Sequence, residues 1–193
     1  MRIASTVSHV ACTLVLTLSL SACKRVGGID SSLILPISNN DAIALLGYLW
    51  GGARSAIAKE REPSTSPFSL ALTYALPCTR GGTGSYQGTL AGAKSAGTGS
   101  ATLAVTGTLS GCQFDNTVSV TAVSAASVGV TGTIAVANDT WSTINLHMVA
   151  GGVTVNGVAC PGGVDVVLSG TAPSGQVTST GTVCNLTGAV PVP

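Results

Sequence analysis

At 193 residues the chain is long enough for one domain with a real core, and its composition is short of charge: 8% Asp, Glu, Lys and Arg, with a net charge of +1. From Gly81 to Pro193 the only such residues are Lys94, Asp115, Asp139 and Asp165. No basic cluster exists to grip phosphates, which excludes nucleic acid as a partner.

The first element is an export signal. Arg2 supplies a positive charge, and residues 10 to 20, "VACTLVLTLSL", form an apolar stretch shorter than the ~20 residues a spanning helix needs. A signal peptidase cut after Ala22 would place bulky Leu20 where a small residue is wanted. The order Leu20-Ser21-Ala22-Cys23 instead resembles the lipobox of bacterial lipoproteins. That resemblance covers only the signal region. It implies cleavage before Cys23, with acyl chains such as palmitate on its thiol and usually its amino group. Two or three acyl chains anchor a protein without any spanning segment. Lys24 follows, where Asp would retain an enteric-type lipoprotein at the inner membrane, so Lys24 implies the outer membrane. Residues 1–22 are therefore expected to be signal peptide and 23–39 a lipidated tether.

Residues 40 to 58, "NDAIALLGYLWGGARSAIA", predict a helix with Asn39 or Asn40 as N-cap and Asp41 in its first turn, open to a break at Gly51-Gly52. It is apolar on nearly every side, which points to burial. Pro36, Asp41 and Arg54 interrupt any window long enough to cross a membrane. The charged, proline-containing "KEREPSTSP" that follows predicts a solvated linker, so 40–67 reads as helix and linker.

The rest, 68–193, predicts an antiparallel β domain. Nine strand candidates occupy roughly 68–77, 84–92, 100–110, 115–123, 126–137, 141–149, 152–160, 163–171 and 175–185, separated by Gly, Asn, Asp and Pro turn chemistry. Connections this short join antiparallel neighbours, giving an up-and-down meander in a curved sheet or partly closed barrel. Gly-Thr recurs at Gly88, Gly107, Gly132, Gly170 and Gly181, with Asn156-Gly157-Val158 as a variant. Each glycine lies on the apolar face. The preferred explanation is that the apolar helix packs closely there; sheet bending and a ligand groove are the alternatives. The opposite face carries Thr106, Thr108, Thr131, Thr133, Thr178, Thr180 and Thr182 and predicts a solvated surface. After Tyr86 the only aromatic residues are Phe114 and Trp141, too few for the girdles of a membrane barrel.

Cys12 leaves with the signal and Cys23 is taken by lipid. Cys78, Cys112, Cys160 and Cys184 then read as two disulfides in an oxidising compartment, with three connectivities possible. No C-x-x-C pair is present and His147 is the only histidine after the signal, which argues against zinc or any other metal site. In a meander all four cysteines fall at one end of the sheet, at the ends of the first, third, seventh and ninth strands. The expected bridges are Cys78–Cys112 and Cys160–Cys184, each across one intervening strand. Two strand spacings, ~9.6 Å, exceed the ~7 Å reach of a disulfide unless the glycine-rich loops relieve them.

Catalysis finds little support. His147 in "TINLHMVA" falls on the threonine side, where a lone strand histidine is normally a surface residue. Asp115 and Asp139 sit beside Asn116 and Asn138 as turn formers. No cofactor is implied. The expectation is a non-enzymatic cell-envelope lipoprotein of structural or protein-interaction type, anchored to the outer membrane. The alternative is a carrier or sensor of an apolar ligand held between the curved sheet and the helix.

Overall fold

The computed structural model describes residues 37–59, 66–114, 120–171 and 175–192. The signal peptide, the lipobox with Cys23, most of the tether, most of the charged linker and the Asp115-Asn116 turn lie outside the described residues.

A single helix, α1 (Asn39–Lys59), opens the described chain. Its cap is Ser38, one residue before Asn39 and two before Asn40. The Asp41 amide donates to Ser38 Oγ at 3.2 Å, and Asp41 Oδ2 accepts from the Ser38 amide at 3.1 Å, a reciprocal capping box. The helix runs unbroken through Gly51 and Gly52. Ala42, Leu45, Leu46, Leu49, Trp50, Ala53, Ala56 and Ile57 are buried at helical spacing and join the inner residues of the sheet in one core. None of the described helices is long and apolar enough to cross a membrane.

Ten strands follow: β1 (Phe68–Leu76), β2 (Gly81–Ser95), β3 (Thr98–Gln113), β4 (Ala122–Ala137), β5 (Thr140–Gly151), β6 (Thr154–Val155), β7 (Val158–Ala159), β8 (Val164–Thr171), β9 (Val177–Val183) and β10 (Leu186–Val192). They form one antiparallel sheet in the order β1-β2-β3-β4-β5-β8-β9-β10, with the β6–β7 hairpin attached to β4. The sheet is not closed. Yet α1 packs against β1 and β10, its two edges, as well as β2 and β4. One helix can reach both edges only if the sheet curls around it.

The strand count differs from the sequence expectation in three places. Val120 and Thr121 belong to no strand, and Ala122 begins β4. The Asn156 side chain explains why: its Oδ1 accepts from the amides of Thr121 at 2.8 Å and Ala122 at 3.1 Å, main-chain donors that a ladder would otherwise take. The stretch 152–160 is a short hairpin, β6–β7, turning on Asn156 (φ 52°) and Gly157 (φ 80°). Two consecutive positive φ values make the turn whose twist suits a two-residue hairpin, and Asn-Gly is its strongest sequence signal. The same device turns β9 into an unexpected strand, β10, at Cys184 (φ 52°) and Asn185 (φ 64°). Pro191 is tolerated in β10 because that strand is an edge.

The two faces segregate as the alternation predicts. Leu103, Val105, Val130, Ile134, Leu146, Met148 and Leu168 are buried inside. Thr106, Thr108, Thr131, Thr133, Thr178 and Thr180 are exposed outside. The glycines of the inner face do not, as expected, make room for the helix. Gly132 has φ 144°, and a Cβ there would collide with the main chain of Asn145 and Leu146 in β5. The positive φ and the close approach of the neighbouring strand are what require glycine there.

Candidate functional site

The curled sheet and its helix do not fill all the space between them. A cavity of about 260 Å³ lies between the first turns of α1 and strands β8, β9 and β10. Its cause is local. Gly181 in β9 and Gly188 in β10 face each other across the ladder, so the sheet carries no side chains at that point. Above them the helix presents Ala42, whose side chain is too short to reach down. Leu46, Val166 and Val183 are buried in the walls, while Asn39, Thr187 and Gly188 are exposed at the mouth. Ser179, also in the wall, is the one buried polar residue among the described residues.

Farther along, the helix is held tightly. The Tyr86 hydroxyl donates to the main-chain carbonyl of Leu49 at 3.0 Å, and the Tyr86 ring lies against Gly52 and Gly107. Burial pushes the phenol's pKa well above its ordinary value of 10.0. Tyr48 stacks on Phe114 with ring centroids 3.7 Å apart, and partial burial raises its pKa too.

Cys78 is bonded to Cys112 with Cα atoms 5.0 Å apart, and Cys160 to Cys184 at 4.5 Å. All four lie at one end of the sheet: Cys78 follows β1, Cys112 closes β3, Cys160 precedes β8 and Cys184 follows β9. The second bridge spans adjacent strands, since β8 pairs directly with β9: the strand expected to intervene, 163–171, is β8 itself, and Cys160 stands just before it because 152–160 lies off the main strand order. The first does skip β2. It closes because residues 78–81 form a tight turn beyond the start of β2, with the Gly81 amide bonded to Cys78 O and the Arg80 amide to Gln113 O, both at 3.2 Å. That turn lays Cys78 over the end of β3.

His147 projects from the outer face, as its parity predicts, and its Nε2 is 2.7 Å from Asp165 Oδ1 on β8. Both side chains are at least half exposed, so the pair is a solvated surface contact. Lys94 and Asp139 form a second pair at 2.6 Å, tying the β2–β3 turn to the β4–β5 turn. Among the described residues no three His, Cys, Asp or Glu side chains come together as metal ligands would.

Sequence reasoning offered a ligand space between sheet and helix only as an alternative and did not place it. The signal was the opposed glycine pair, which becomes visible only once β10 is recognised as a strand. Compared with family models, curated proteins and solved structures, the chain matches none of them.

Proposed function

We propose that the protein is an exported lipoprotein of the bacterial cell envelope, anchored to the outer membrane through acyl chains on Cys23, whose β domain acts by structural or protein contact and not by catalysis. The observation that carries the reading is the cysteine pairing. Two bridges use Cys78, Cys112, Cys160 and Cys184, every cysteine after Cys23. Cys23 is then not needed as a disulfide partner and stands in the lipobox position after the apolar signal. Disulfides of this kind persist outside the reducing cytosol. The exposed threonine face and the scarcity of charge favour a contact role over a reaction.

Lipidation is tested directly. In a host with the lipoprotein pathway, the protein should incorporate labelled palmitate and lose its first 22 residues, whereas Cys23→Ser should leave an unlabelled, uncleaved precursor. Continued palmitate labelling of Cys23→Ser would sink the reading.

A further inference from the structure

We infer that the cavity between α1 and strands β8–β10 is a binding site for one uncharged, single-chain apolar molecule of about ten carbons, such as a medium-chain alcohol. The inference goes beyond the anchoring reading and is independent of it.

Size sets the chain. A cavity of ~150 Å³ accommodates the six carbons of benzene, so on the same scale the 260 Å³ here takes about ten. A two-chain lipid is too large. Chemistry sets the character: Ala42, Ile43, Leu46, Val166, Val183 and Leu186 give apolar walls. Among the described residues no Lys, Arg, His, Asp or Glu lines the space, so nothing described there compensates a buried charge. The lining offers neutral hydrogen-bonding side chains instead, Asn39 and Thr187 at the mouth. A hydroxyl head suits them; a carboxylate does not.

Access is also built in. The mouth residues Asn39, Gly181, Thr187 and Gly188 are exposed, while Ala42, Leu46, Ser179 and Val183 behind them are buried. A molecule can enter end-on without unfolding the domain.

Equilibrium dialysis of the full chain against radiolabelled 1-decanol and against decanoate at neutral pH tests this. The expected result is one decanol per chain, with decanoate bound about tenfold more weakly. Two variants fill the space from opposite walls: Ala42→Leu from the helix and Ser179→Val from β9. Each should bind decanol about tenfold or more weakly while melting cooperatively, and the helix variant guards against a β9 variant that fails to fold. No saturable decanol binding to the parent, or binding undiminished in a folded variant, would overturn the site. Decanoate binding more tightly than decanol would overturn the uncharged ligand class.

Discussion

The Tyr86 hydroxyl, on the inner face of β2, donates a 3.0 Å hydrogen bond to the Leu49 carbonyl in the middle of α1. It is a polar contact that fixes the helix within a largely apolar core. Because the phenol is almost wholly buried, its pKa is raised above 10.0. The unfolded chain can ionise this group near pH 10 and the folded chain cannot. Its contribution is therefore complete below pH 10 and declines above it, as the unfolded state sheds a proton the native state keeps, by ~1.4 kcal/mol per pH unit. Urea titrations at pH 7 and at pH 11 should show Tyr86→Phe costing ~1 kcal/mol at the lower pH. At the higher pH the variant should lose less stability than the parent. An identical alkaline decline in both would mean that Tyr86 is not the responsible group.

Gly51 and Gly52 are neighbours in one helix and should respond to alanine with opposite signs. A Cβ on Gly51 meets nothing within 4 Å, whereas one on Gly52 would drive into the Tyr86 ring. Gly51→Ala should gain ~1 kcal/mol of helix propensity. Gly52→Ala earns the same propensity but must displace a buried ring, so a net loss of ~1 to 2 kcal/mol is expected. Thermal melts of the two variants decide it; stabilisation by both would show that the helix does not sit against β2 as described.

The recurrent glycines allow a comparable contrast. Gly132→Ala places a methyl against the β5 main chain at φ 144°, and neither partner can move without breaking the ladder. A loss of ~3 kcal/mol is expected. Gly157, in the β6–β7 turn, has open space around it and only a positive φ to preserve, so Gly157→Ala should cost ~1 kcal/mol. Equal losses measured by urea denaturation would refute a backbone origin for the recurrent glycines.

Much of this architecture was legible because period-two alternation and turn chemistry are local. The helix, the inner and outer faces, the antiparallel order and the surface position of His147 all follow from such signals. What escaped was non-local or masked by the same alternation. "VTVNGVAC" alternates straight through its own Asn-Gly turn, so a hairpin reads as a strand. β10 carries Pro191, which argues against a strand unless its edge position is already known. The cause of the glycines, a collision with the neighbouring strand, depends on twist and register that no single segment contains. The cavity combined both difficulties, since Gly188 lies on the unrecognised strand and Gly181 matters only as its partner.

The disulfides give the sharpest test of sheet order, because their geometry depends on which strands are neighbours. Of the strand expected at 115–123, the described residues Val120 and Thr121 lie in no strand and Ala122 and Val123 belong to β4, and 152–160 is a hairpin off the main order. Dropping both preserves parity, so all four cysteines remain at one end although the count was wrong. The closed loops span sequence separations of 34 and 24 residues. Chain-entropy reasoning gives each bridge ~3.5 kcal/mol, with the longer loop ahead by only a few tenths. The Cys78–Cys112 bridge joins edge strand β1 to β3, and the Cys160–Cys184 bridge joins β8 to β9 beside edge strand β10. Removing either should therefore loosen one margin of the curled sheet. Replacing each pair by alanine, which avoids stranding a hydroxyl at buried Cys112, should lower stability by ~3 to 4 kcal/mol in urea. Non-reducing peptide maps should link Cys78 to Cys112 and Cys160 to Cys184. A peptide joining Cys112 to Cys160 would be incompatible with β8 lying between β5 and β9, and with it the curl that brings both edges to the helix.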